Sequence, residues 1–178
     1  EGGVGVGKTT LLQIITKLIG GEYERVEGTV DLMPNDIIYH ASINSQGKPS
    51  ISNGPILKKG EDLSIFFFNE INRARPQVHS LLLRAMAEKS ISAFNKDVFL
   101  PHMVVFADRN QVEKNETFEL PAAARDRFMM EISIQAPKDK KLRDSIIFES
   151  KFQNTAKLVE AIPSPKFDCK ELNEVSDS

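Results

Sequence analysis

Gly2-Gly3-Val4-Gly5-Val6-Gly7-Lys8-Thr9 is the stretch that decides the fold, a complete Gly-x-x-x-x-Gly-Lys-Thr pattern. Glycines at this spacing let successive backbone N–H groups turn inward around an anion. The lysine reaches the outer phosphate oxygens, and the threonine hydroxyl is placed to coordinate Mg²⁺. Behind it, residues 10–19 carry Leu11, Leu12, Ile15, Leu18 and Ile19 on one face, which predicts a helix whose N-terminus points at the phosphates and which Gly20-Gly21 stops. The bland alternative is a glycine-rich turn that happens to precede a helix; the helix lying on the required side argues against it. The candidate nucleotide-binding residues are therefore Gly2, Gly3, Val4, Gly5, Val6, Gly7, Lys8, Thr9 and Thr10.

Further along, Ile65-Phe66-Phe67-Phe68 is a continuous apolar run, as a strand covered on both faces requires, and it ends in Asn69-Glu70. The three phenylalanines read as core; chemistry enters at Asn69 and Glu70. Residues 77–88 show a helical stripe of Val78, Leu81, Leu82, Ala85 and Met86 after Pro76. Other expected strands cover residues 23–30, 103–107 and 129–134, with a short helix over 122–126 and a turn at Pro34-Asn35. Residues 42–60, rich in polar residues, proline and glycine, read as an exposed insertion with room for a hairpin. Strands alternating with helices mean α/β architecture with a parallel sheet.

Composition narrows the function classes. The 178 residues are 40% hydrophobic with net charge −2, enough for one globular domain and without general attraction to polyanions. The single cysteine, Cys169, excludes an internal disulfide and fits a reducing, cytoplasmic setting. No run is long and apolar enough for a membrane span. There is no basic stripe or module signature for nucleic acid, and His40, His79 and His102 lack metal-ligand spacing, His79 being expected at the edge of its helix. Lys138, Lys140, Lys141 and Arg143 alternate with Asp139 and Asp144, which reads as a solvated helix start.

The residues also carry a family resemblance. Glu1 to Thr9, Asp31-Leu32-Met33-Pro34-Asn35-Asp36, Gly54-Pro55-Ile56, Asn69-Glu70-Ile71-Asn72-Arg73, the Leu82 to Met86 block, and Leu120-Pro121 with Asp126-Arg127-Phe128 resemble, in order and spacing, the MoxR family of AAA+ ATPases. The likeness runs from residue 1 to about residue 135. It implies an AAA+ P-loop core over residues 1–136, lacking the first strand and most of the C-terminal helical lid. Residues 137–178 then hold a linker and the lid's first helix near 142–151, with a poorly ordered polar tail from Pro163. Such proteins form rings, usually hexamers, and act as chaperone-type motors on protein clients with von Willebrand factor A domain partners.

The resemblance implies roles by residue. Glu70 orients and polarises the attacking water, Asn110 senses the γ-phosphate, and Arg127 serves a neighbour's site as arginine finger, with Arg125 a weaker candidate. Thr9 and Asn69 stand at the Mg²⁺ positions. Asn69 departs from the family, which carries Asp there; one charge lost about 5 Å from a divalent ion removes on the order of a few kcal/mol. Asp108, at the end of the expected neighbouring strand where the family has a small hydroxyl residue, is a candidate to restore that charge. Asp62 lies near the strand's opposite end.

Three functions follow as alternatives: an ATP-hydrolysing ring motor; a nucleotide-binding module or remnant with little turnover; and a DNA-dependent motor, which the charge does not favour.

Overall fold

The structure, a computed structural model, describes residues 6–109, 118–135, 137–149 and 154–163. Helix α1 (Lys8–Ile19) begins at Gly7, whose φ of 87° is in the left-handed region, and ends at Gly20 with φ 69°. Strand β1 (Glu22–Glu27) follows, then α2 (Pro34–Ile38) and a hairpin of β2 (Tyr39–Ile43) and β3 (Pro49–Asn53). A 3₁₀ turn leads into β4 (Leu63–Asn69), a second one (Ile71–Arg73) leaves it, and α3 (Pro76–Glu88) comes next. A second hairpin, β5 (Ser90–Ala93) and β6 (Lys96–Phe99), precedes β7 (Val104–Ala107). Helices α4 (Ala122–Arg125), α5 (Lys140–Phe148) and α6 (Thr155–Glu160) complete the described elements.

The central sheet is parallel, in the order β1-β4-β7. Residues 63–68 of β4 are all buried, as a central strand with elements on both faces must be. Side chains alternate across a strand, so Phe66 and Phe68 share a core cluster with Val78, Leu82 and Ala85 of α3. Ile65 and Phe67 take the other face, where α1 lies against β1 and β4 with Leu12 buried.

Local chemistry explains the smaller elements. Pro34 opens α2 and the Asp36 carboxylate accepts from the Met33 N–H at 2.9 Å, so the expected turn becomes a short helix. The first part of the insertion forms an exposed hairpin, its turn closed where Asn44 Oδ1 accepts from the N–H of Gln46 at 3.0 Å and of Lys48 at 2.9 Å. The expected exposure fails at Ile56 and Leu57, which are buried in the core. The second hairpin turns on Phe94 and Asn95, both with positive φ, and the Phe94 ring rests 4.8 Å from that of Tyr39. Asp139 caps α5 by accepting from the N–H of Lys141 and Leu142, and the basic residues around it are exposed, as a solvated helix start requires.

Two expected strands also need correction. β1 stops at Glu27 rather than continuing to residue 30: the Gly28 N–H still bonds to the Asn69 carbonyl at 2.7 Å, and the chain then leaves the sheet in a turn closed by the Leu32 N–H on the Thr29 carbonyl at 3.2 Å. Residues 129–134 form no strand beyond an isolated bridge at Ile134; Met129 is 94% and Met130 66% exposed. Among the described residues no neighbouring strand offers this segment a ladder, and apolar side chains alone do not make a strand.

The candidate site at the carboxyl end of the sheet

Three parallel strands deliver their carboxyl ends to one place. The register sets Glu27 of β1 opposite Asn69 of β4, and Phe68 opposite Ala107 of β7, so Glu70 and Asp108 emerge side by side. Backbone bonds continue the sheet past its formal end: Asp108 N–H to the Phe68 carbonyl at 3.0 Å, and Ile71 N–H to the Asp108 carbonyl at 2.9 Å. Glu70 adopts φ 53°, a left-handed conformation costing a non-glycine residue on the order of 1 kcal/mol. The surroundings hold it there. A Cβ on Gly28 would lie 2.2 Å from the Glu70 carbonyl oxygen, so only glycine allows β1 to pass this close.

On the β7 side the polar contacts are buried or part-buried. Asp108, 6% exposed, accepts the Glu70 N–H on Oδ1 at 2.5 Å, while its Oδ2 lies 2.7 Å from Lys8 Nζ. Lys8 is thereby held at the end of the sheet, beside the backbone of the carboxylate that follows β4. Glu70 pairs through Oε2 with Arg73 Nη1 at 3.1 Å. The turn after Glu70 is held from below: His79, expected at a helix edge, is 3% exposed, and its Nε2 donates to the Ile71 carbonyl at 2.7 Å. That bond fixes the proton on Nε2 and leaves Nδ1 buried without a hydrogen-bond partner. Burial depresses the His79 pKa below its ordinary value, partly offset by the Ile71 contact.

On the β1 side the contacts are open to solvent. The Asn69 amide Nδ2 donates to Glu27 Oε1, and Glu27 Oε2 accepts from Arg25 at 2.6 Å. Arg25 also lies over the Phe67 ring, 5.8 Å from its centroid. Each carboxylate at this end thus has a cation: Asp108 with Lys8, Glu70 with Arg73, Glu27 with Arg25.

Of the residues singled out in the sequence, Val6, Gly7, Lys8, Thr9 and Thr10 lie at the start of α1, and the Lys8–Asp108 contact brings that end of the helix to Asn69 and Glu70. Gly2, Gly3, Val4, Gly5 and Asn110 lie outside the described residues. Arg127 is exposed just after α4; its Nη1 donates to the Leu83 carbonyl at 3.5 Å, and Arg125 is exposed too. Asp108, weighed as a charge to compensate Asn69, has both oxygens engaged, one by Lys8 and one by Glu70. The carboxylate in contact with Asn69 is instead Glu27, a residue the sequence reading passed over. Its signal was a glutamate at the end of the strand paired with β4, legible only once the register was known.

The residues present fit a hydrated Mg²⁺ brought in with phosphates. Thr9 and Asn69 offer oxygen donors, and no three His, Cys, Asp or Glu side chains among the described residues form a cluster able to hold a metal unaided. A separate cavity of about 460 Å³ lies between α1, β1 and α6, lined by Gln13, Lys17, Tyr23 and Val159 among others, and takes in no residue of this site. Burial pushes the Tyr23 hydroxyl there up to about 12.

Comparison with known proteins is in accord with this fold. Residues 1–130 match the family model described as the ATPase family associated with various cellular activities (AAA). The chain is 55% identical over 178 residues to Protein MoxR of Methylorubrum extorquens, covering all of this chain and 52% of the relative. It is 59% identical over 158 residues to Protein MoxR of Paracoccus denitrificans, covering 89% and 47% respectively. Chaperone MoxR1 of Mycobacterium tuberculosis is 33% identical over 149 residues, covering 82% and 38%. A crystal structure of a candidate ATPase from Cytophaga hutchinsonii superposes with a TM-score of 0.74 at 26% identity, over 99% of this chain and 51% of that one. The chain spans about half the length of the curated relatives it matches.

Proposed function

We propose, from the premise that this chain belongs to the MoxR family of AAA+ ATPases, that it binds ATP at the carboxyl end of its sheet and hydrolyses it. On this reading it is part of a ring-forming, chaperone-like motor. The observation that carries the reading is the meeting of Lys8, Glu70 and Asp108 at the ends of β4 and β7. A lysine ammonium held at 2.7 Å from a buried carboxylate stands at the end of the sheet, where a triphosphate would compete with Asp108 for it.

Thr9 and Asn69 would hold Mg²⁺, which neutralises charge on the β- and γ-phosphates. Glu70 would orient the attacking water and accept its proton once released from Arg73. Asn110 would bond the γ-phosphate. Arg127 makes one long bond to a carbonyl within its own chain and is exposed, which suits a finger reaching a neighbouring subunit. A homo-oligomer, most simply the hexamer of the family resemblance, follows from that role. A von Willebrand factor A domain partner, a protein client in complex maturation and a cytoplasmic location belong to the same proposal.

A second reading, binding with little turnover, has an observation in its favour: Asn69 stands where the family carries a carboxylate, and Glu70 is paired with Arg73. Steady-state ATP hydrolysis with Mg²⁺ across a protein concentration series, with Glu70→Gln as blank, separates the two. Turnover that rises with concentration and vanishes in the blank supports the motor. Nucleotide binding with turnover no higher than the blank supports the second reading and overturns the first.

A further inference from the structure

We infer that Glu27 is a positioning residue that makes Asn69 usable in the divalent-cation site; the inference rests on the nucleotide reading above. An asparagine amide has a donating end and an accepting end, and its neighbours decide which way round it sits. Glu27 and Asn69 face each other across the β1/β4 register, and Asn69 Nδ2 donates to Glu27 Oε1. An ionised carboxylate accepts only. The reverse orientation would set the Asn69 Oδ1 against a carboxylate oxygen, so Glu27 fixes the NH₂ toward β1 and turns Oδ1 away from it.

That oxygen is the atom a hydrated Mg²⁺ needs as acceptor for its water shell; an NH₂ turned the same way would repel the shell. The carboxylate also polarises the amide from one contact away, supplying through β1 part of the negative charge that β4 lacks. The two residues are matched. An Asp at 69 beside Glu27 would set two carboxylates against each other. A Gln at 27 beside Asn69 would leave the amide free to sit either way. The acid belongs on one strand or the other. Arg25, on the other oxygen of Glu27, is an exposed partner that tempers this charge.

The test is calorimetric titration of ATP into the full chain, with Mg²⁺ and with EDTA, for wild type, Glu27→Gln, Asn69→Asp and the double variant. Circular dichroism melting of each variant monitors the fold. The readout is the ratio of Mg²⁺-dependent to metal-free affinity, which a loss of general stability does not move. Glu27→Gln is expected to lower this ratio about five- to tenfold, the scale of one solvent-exposed hydrogen bond. Asn69→Asp alone brings no gain over wild type, and the double variant restores or exceeds the wild-type ratio. Mn²⁺ titration followed by electron paramagnetic resonance in the presence of ADP repeats the ordering with the metal observed directly. An unchanged ratio in Glu27→Gln, or a gain in Asn69→Asp alone equal to that of the double variant, overturns the inference and leaves the nucleotide reading standing. No ATP binding by the wild type under either condition overturns both.

Discussion

Asn69 and Glu70 are consecutive, yet they are held in opposite ways. Toward β7 the backbone N–H of Glu70 meets Asp108 in a buried contact that also takes in Lys8; toward β1 the Asn69 side chain meets Glu27 in a contact that solvent reaches. The buried side fixes backbone position, since a lost partner there leaves charge or N–H uncompensated. The exposed side sets orientation and charge at small cost in stability, because water can replace whatever is removed. One strand end thus separates the work of holding the site in shape from that of tuning it.

The sharpest way to break the comparison is on the buried side. Asp108→Ala leaves Lys8 without that carboxylate and the Glu70 N–H without its acceptor, and a loss of about 3 kcal/mol is expected by urea unfolding. If the variant unfolds at the same midpoint as wild type, the buried contact is not what holds this end of the sheet. Gly28→Ala comes next, at about 2 kcal/mol, because the new Cβ has to displace the Glu70 carbonyl. It should lower ATP turnover beyond what the stability loss explains, since Glu70 moves with its backbone.

His79 sharpens the comparison through pH. Its folded pKa is depressed, so the unfolded chain takes up the proton first as pH falls. Its contribution is full above the ordinary histidine value of about 6.5 and is lost as pH drops from there through the folded value. Melting temperature should fall along that window, and His79→Gln should flatten the slope. An unaltered slope in the variant would assign the acid sensitivity to other groups. The smallest effect belongs to the exposed side: Arg25→Gln should cost less than about 1 kcal/mol, and raising the salt concentration in wild type should leave stability nearly as it was.

How much of this was legible in the chain depends on whether the signal is local. The run at 65–68 announced β4 and the stripe after Pro76 announced α3, because burial on both faces and a 3.6-residue period are written within a dozen residues. The β5–β6 hairpin left no such mark. Its turn is made by Phe94-Asn95 rather than a glycine pair, and positive φ at a phenylalanine is sustained by its packing on Tyr39, distant in sequence. Residues 129–134 misled in the other direction: their apolar content matched a strand, but a strand exists only where a partner satisfies its backbone. Within the site, Lys8 and Glu70 were named by motif. Glu27 and the buried His79 were not, since each is defined by a contact across the fold. Glu27 meets a residue 42 positions away, and no periodicity encodes that pairing.

Helix α1 is gripped at both of its lysines. Lys8 is drawn to the tip of β7, and Lys17 reaches the last carbonyls of α6, Val159 at 2.9 Å and Glu160 at 2.8 Å, where the helix dipole is negative. Nine residues separate the two ammonium groups, about 14 Å along the axis and on opposite faces of the rod. On the nucleotide reading proposed above, a phosphate that took Lys8 from Asp108 would free one end of this stiff element while its other end stayed tied to residues 155–160, which gives the helix the build of a lever.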